Sequence, residues 1–248
     1  MKRKISLIIR QYCPFLWEKI RAWTGVAVLP EFVTRSGILF IHIPKAAGTS
    51  ICQALYGIPT IGHLKVSDWQ SWFPHSWRTV TIVSVVRDPV DRFFSAFKFL
   101  KMGGMNEGDE QFALRFLGEF ETPDTLILAM RRDEAFSTLI LSHIHFIPQV
   151  EFLKDRSGTL QGDLLVPYER LGDFGNLIAP YIGRMISLPR LNTTKGSEKI
   201  TLSPENSAFL TELYGDDYRL RKRILAETPA AMSIFRSAFH KSGRTNRG

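Results

Sequence analysis

Apolar residues fill Ile38–Ile43 at every position but His42, as in a strand covered on both faces of a parallel sheet. Pro44 ends that run, and Ala46, Ala47 and Gly48 keep the following turn free of bulk. A helix is predicted over Thr49–Tyr56, with Thr49 and Ser50 available to cap it and Gly57 closing it. The second clear strand is Thr79–Val86, β-branched throughout apart from Ser84 and apolar enough to be central. It runs into Arg87-Asp88-Pro89, where Asp88 fits an N-cap and Pro89 the first position of a helix continuing through Val90–Leu100. On that helix Val90, Phe93, Phe94 and Phe97 form the buried stripe, leaving Arg92, Ser95 and Lys98 to point elsewhere.

The remaining pattern is less regular. Ile61–Trp77 has weak periodicity and reads as a loop or short helix, with His63 at its start. Its aromatics Trp69, Trp72, Phe73 and Trp77 fit buried packing better than a sugar platform. Met102–Ala135 opens on Gly103, Gly104 and Gly108 and has helical patterns at Phe112–Phe120 and Thr125–Met130. It carries no catalytic motif and reads either as a mobile cover or as a surface insertion. Leu164–Val166 is a further core strand, followed by a helix over Leu171–Ile182. Ser203-Pro204-Glu205 starts a helix reaching Tyr214, and a charged helix spans Asp216–Leu225. Strands that alternate with helices predict an α/β fold with a central, mainly parallel sheet flanked by helices.

Composition narrows the class. At 248 residues and 44% hydrophobic, the chain can bury one full core. Cys13 and Cys52 have no partner at metal-ligand spacing, so a reducing compartment is expected. No apolar run reaches the roughly 20 residues of a membrane span, which together with the cysteines predicts a soluble, cytoplasmic protein. The formal charge of +8 sits at the ends: residues 1–21 carry +5 and residues 219–248 carry +7, leaving −4 on the body between them. Such tails give no reason to expect specific nucleic-acid binding. Residues 1–29 can form a basic amphipathic helix that touches an anionic membrane surface, or can pack on the domain. The organisation expected is a basic extension over 1–35, one domain over 36–240 and a basic tail over 241–248.

Both strand-to-helix turns have the chemistry of anion sites. In the first, amides at a small-residue turn face a helix start, Lys45 adds a charge, and Thr49 and Ser50 add hydroxyls. In the second, Arg87 at the strand end and Ser95 eight residues on can reach a phosphate near the helix start. The first is not a Walker A loop, because Lys45 precedes the turn instead of following its glycine. The second strand ends in Arg87 and not in an acidic magnesium ligand. Two phosphate sites on strand ends, with no metal expected, point to a nucleotide phosphorylated at two separate positions.

HIPKAAGTS (42–50) followed by VVRDPVDRFFSAF (85–97) resembles the paired motifs of sulfotransferases that use 3′-phosphoadenosine 5′-phosphosulfate, especially the branch that modifies carbohydrates. His145–Gln149, similar to the HxxPQ segment of that branch, Leu164–Leu171 and Leu188–Asn192 extend the likeness over roughly Ile38 to Ile224. The resemblance implies a P-loop-like three-layer fold. It also implies 5′-phosphosulfate binding by Lys45, Ala46, Ala47, Gly48, Thr49 and Ser50, and 3′-phosphate binding by Arg87 and Ser95. The implied reaction is sulfuryl transfer to a hydroxyl-bearing acceptor, a saccharide. Lys45 would stabilise the departing phosphate, with His63 as first choice of general base and His145 as second. A phosphoryl-transferring kinase and a non-catalytic binder acting through the basic ends are the competing expectations.

Overall fold

A computed structural model of the chain describes residues 29–189 and 202–226. The basic stretch over residues 1–28, Cys13, residues 190–192 of the last similar segment and the basic tail lie outside the described residues. The architecture is mixed α/β: a parallel sheet of three strands, in the order β1 (Ile38–Ile41), β2 (Thr81–Val86), β3 (Leu164–Pro167), flanked by helices. Ile38 pairs with Thr81 and Val83 with Leu164, so β2 is central. Every residue of β2 is buried, which accounts for its largely apolar run. Of its two polar residues, Thr81 and Ser84, the second donates its hydroxyl to Ile41 O at 2.8 Å.

Helix α1 (Glu31–Ser36) leads into β1, and its Val33 is fully buried. β1 is two residues shorter than its apolar run, because Ile43 N turns back onto Ile41 O at 3.0 Å before Pro44 is reached. Similarly, Thr79 belongs to a turn closed on Ser76 O, and β2 starts at Thr81. The turn after β1 feeds α2 (Gly48–Tyr56), which ends with Gly57 in the left-handed region as expected. The aromatic segment forms the short helix α3 (Val66–Trp72), with Trp69, Phe73 and Trp77 buried. After β2 comes α4 (Pro89–Lys101), capped by Asp88 Oδ1, which accepts from Val90 N and Asp91 N at 3.0 and 3.2 Å.

Two apolar cores result. One surrounds the sheet; the other is helical and gathers Phe93, Ala96, Phe97 and Leu100 of α4. The helical core is completed by α5 (Glu107–Phe116), α6 (Pro123–Arg132), α7 (Glu134–Ser142) and α10 (Pro204–Leu213, with Tyr214 just beyond). Between them in sequence lie α8 (Gln149–Leu153), β3, a 3₁₀ segment (Tyr168–Asp173) and α9 (Phe174–Ile182); α11 (Gly215–Ala226) ends the described chain. The segment read as a cover or surface insertion instead supplies Ala113, Leu117, Leu126, Ile127 and Met130 to the helical core. Leu171–Asp173 belongs to the 3₁₀ turn, so the helix predicted from Leu171 begins at Phe174.

Arg92, read as pointing away from the buried stripe of α4, does not reach solvent. It is fully buried, with Nη1 donating to His145 O at 3.0 Å and Nη2 to Ile147 O at 2.7 Å. The carbonyls of the 143–147 turn take the place of water at Nη1 and Nη2, while Nε is buried with no hydrogen-bond partner among the described residues.

Among the described residues β1 has no strand on its outer side. Tyr56 covers that edge: Phe40 N donates to its hydroxyl, which donates in turn to Ile38 O, both at 3.0 Å. Tyr56→Phe leaves a buried N–H and C=O unmatched and should cost about 1–3 kcal/mol. Urea unfolding of the two proteins checks this; equal midpoints and slopes would show that the edge is satisfied by other means.

Candidate active site

The turn between β1 and α2 is wound by two left-handed residues, Lys45 (φ 65°) and Ala47 (φ 63°), the only non-glycine residues with positive φ among those described. Such conformations cost roughly 1–2 kcal/mol each for L-residues and persist where the surroundings enforce them. The surroundings here are tight. A Cβ built on Gly48 would lie 1.8 Å from Cδ2 of His42, so the imidazole occupies the space any other residue would need. Pro44, Ala46 and Gly48 are buried, while Lys45 and Ala47 are half-buried.

The helix does not start as the sequence suggested. Ala47 is the N-cap, in the left-handed region and with no oxygen to offer, and no side chain caps α2. Thr49 and Ser50 lie inside the first turn, too far along to fold back as caps. The amides of Gly48, Thr49 and Ser50 precede the first intrahelical bond, Ile51 N to Ala47 O at 3.3 Å. Winding of this kind turns successive N–H groups to one side, as in an anion nest.

Arg87 joins the two turns. Its Nη1 donates to Lys45 O at 3.1 Å, its guanidinium stacks 4.6 Å from the Tyr168 ring centroid, and its Nε is buried with no hydrogen-bond partner among the described residues. Ser95 is half-buried on α4, one helical turn before Phe99, whose ring lies 3.7 Å below Lys45 Nζ. Positions four apart share a helix face, so Ser95 and Phe99 face the same side. Ala46, Gly48 and Arg87 thus meet at the ends of β1 and β2, the edge where open parallel sheets bind ligands.

Four histidines line up beside this turn. His63 Nδ1 lies 2.9 Å from His42 O; a carbonyl only accepts, so the proton sits on Nδ1 and the lone pair of neutral His63 is on Nε2. The His63 ring centroid is 4.3 Å from that of His42 and 5.8 Å from that of His145. His145 packs edge-on to Phe99 at 4.8 Å, and its Nδ1 is buried without a partner. His143 stacks on Phe112 with ring centroids 4.0 Å apart. Both sequence-predicted imidazoles, His63 and His145, therefore belong to one cluster with Lys45.

The sequence reading missed Asp109. This buried carboxylate of α5 stands 3.5 Å from both His143 Nε2 and His145 Nε2, and its Oδ2 accepts from Met105 N at 3.0 Å and Asn106 Nδ2 at 3.1 Å. Gly104 admits it: a Cβ there would lie 2.1 Å from that of Asp109. The signal was present in the glycine pair, but the partners lie far along the chain. Among the described residues no group of three His, Cys, Asp or Glu side chains is arranged to hold a metal ion.

Burial makes these groups resist charge. His42 and His145 are each pushed down to about 3 by desolvation, with His63 the next contributor in both cases. His63 and His143 are lowered too, chiefly by desolvation; the bond to His42 O partly offsets this for His63, and Asp109 for His143. Lys45 falls to about 8 through burial and then the nearby Arg87.

These shifts fix the sign of an acid transition. The unfolded imidazoles bind protons below an ordinary pKa of about 6.5, whereas His42 and His145 stay neutral in the fold until about 3. The stability due to keeping these two imidazoles neutral is therefore full above pH 6.5 and falls as pH drops through that window. Each of the two should contribute a slope of about 1.4 kcal/mol per pH unit near pH 5. Denaturant titrations at closely spaced pH values measure it, and His145→Gln should remove about half of the slope due to the pair. A stability independent of pH between 6.5 and 4.5 would show that the imidazoles are already charged in the folded chain.

The chain matches no protein-family model, no curated protein and no solved structure.

Proposed function

We propose that the protein transfers a sulfuryl group from 3′-phosphoadenosine 5′-phosphosulfate to an acceptor hydroxyl, with carbohydrate as the acceptor class. The observation that carries this reading is the meeting of two strand-end anion turns, tied by Arg87 Nη1 to Lys45 O at 3.1 Å. An imidazole with an available Nε2 lone pair stands in the same cluster. One turn alone would suit any phosphate; two on adjacent strands suit a nucleotide with phosphates at both ends of its ribose. The carbohydrate class rests on the likeness of the two motifs and of His145–Gln149 to that branch.

The residues fit such a ligand. The Gly48–Ser50 amides and Lys45 would hold the 5′ end, at a turn kept narrow by His42 against Gly48. Arg87, with a buried and unpartnered Nε, and Ser95 would hold the 3′-phosphate. When bound, the donor supplies an activated sulfuryl group with a phosphate oxygen as its leaving atom. His63 Nε2 takes the acceptor hydroxyl proton while the new oxygen–sulfur bond forms and the old one breaks. Lys45 and the amides meet the charge that builds on the leaving oxygen, which favours the transition state over the ground state. His145, pushed down to about 3, is the weaker base; packed on Phe99 and Asp109, it supports His63.

Calorimetry tests the binding half. Adenosine 3′,5′-bisphosphate should bind far better than adenosine 5′-phosphate, and Arg87→Ala should weaken the former by about tenfold to a hundredfold. Equal affinities would overturn the assignment of Arg87. His63→Ala tests the chemical half: turnover should fall by about 10²–10⁴ with nucleotide affinity nearly unchanged. In the wild type, kcat/KM should fall on the acid side below pH 6.5 as His63 protonates, and on the alkaline side near 8 as Lys45 loses its charge. Full turnover in His63→Ala would move the role to His145.

A further inference from the structure

Arg87 follows directly on the last ladder pair of β2 and β3, Val86 with Pro167. Beyond it no strand residue holds the peptide; a side chain does. Arg87 N donates to Gln149 Oε1 at 2.9 Å, and Gln149 Nε2 donates to Arg87 O at 2.8 Å. This is the two-point pairing a neighbouring strand would offer, made by one fully buried amide. The amide orientation is fixed by the same pair, since a flipped group would set donor against donor.

Gln149 is held in its turn. Its N donates to Asp217 Oδ2 at 2.8 Å, its Nε2 reaches the same oxygen at 3.3 Å, and Val150 N donates to Asp217 Oδ1 at 2.9 Å. Asp217 is fully buried in the first turn of α11, and through these bonds it caps α8 from outside. Burying a carboxylate is costly unless donors replace its water; three do so here. Arg221, on the same helix, lies 3.7 Å from Asp88, the cap of α4, and also pairs with Glu169. One helix thus grips both sides of the Arg87 turn.

The geometry points to Gln149 as a positioning residue that sets selectivity for a ligand with a second phosphate, with Asp217 holding it in place. The inference rests on the sulfuryl-transfer reading, which gives Arg87 that phosphate. Rotating the Arg87 peptide would swing its side chain away from Lys45 O and the Tyr168 ring, and the second anion turn would lose its register with the first. The loss would fall chiefly on the second phosphate: the first turn would lose the bond to Lys45 O but keep the packing of His42 against Gly48.

The test is nucleotide binding by the full chain and its Gln149→Met variant, which keeps the side-chain length and removes both hydrogen-bonding atoms. Wild type should prefer adenosine 3′,5′-bisphosphate over adenosine 5′-phosphate by about tenfold or more. Gln149→Met should lose about tenfold of that preference with affinity for adenosine 5′-phosphate nearly unchanged. Arg87→Ala should then add little in the Gln149→Met background, because the two act on one contact. If Gln149→Met does not fold, Asp217→Asn, which keeps the shape and one acceptor oxygen, should lose about threefold of the preference. A lower melting temperature with an unchanged preference, or equal weakening of both nucleotides, would reduce Gln149 to a structural role and overturn the inference. A wild type that binds both nucleotides equally would fail the sulfuryl-transfer reading itself, before any variant is compared.

Discussion

The strand-end site depends on the contact between His42 and Gly48. The imidazole fills the volume where a side chain at position 48 would lie, and it is itself buried, with Nδ1 3.3 Å from Thr60 Oγ1. The chain reaches this close approach through two left-handed residues, Lys45 and Ala47, whose conformation sets which way the amides of the turn and the Lys45 side chain leave the backbone. The same histidine uses its carbonyl to fix the tautomer of His63. One buried residue at the end of β1 thereby couples the turn before α2 to the nearest imidazole.

A second constraint runs beneath the first. Arg92 and Asp217 are both fully buried charges, and neither is tied by a direct ion pair to the other among the bonds they make. Each is held by backbone groups of the 145–150 segment: Arg92 at Nη1 and Nη2 by the carbonyls of His145 and Ile147, Asp217 by the amides of Gln149 and Val150. The guanidinium takes the carbonyls before Pro148 and the carboxylate takes the amides after it. Buried polar groups of this sort are costly to leave unmatched, which makes the segment a rigid strut. It carries His145 on one side of the cluster and Gln149 under Arg87 on the other.

Local signals read well. The apolar run of β1, the β-branched run of β2, Asp88-Pro89 at the start of α4, Ser203-Pro204 at the start of α10 and Gly57 after α2 each depend on neighbours within a few residues; the caps stand where expected and each strand is two residues shorter than its run. The capping role given to Thr49 and Ser50 did not hold, because the helix begins one residue earlier behind an alanine in a conformation that alanine does not signal. Arg92 and Asp109 were illegible for another reason. Their partners lie far along the chain, and a charged residue beside an apolar stripe looks solvated until the carbonyls that replace water are in view. The candidate site was therefore visible as two motifs and two histidines, but the packing that joins them came only with the fold.

The proposed chemistry is the movement of a sulfuryl group from a nucleotide to a hydroxyl by these residues. Incubating the full chain with 3′-phosphoadenosine 5′-phosphosulfate carrying labelled sulfate, over an array of saccharides and simple hydroxyl compounds, measures it directly. Label should appear on a saccharide acceptor, and the Lys45→Ala protein should leave it on the nucleotide. No transfer to any acceptor by a protein that also fails to bind the nucleotide, or transfer from ATP with magnesium in its place, would contradict the account.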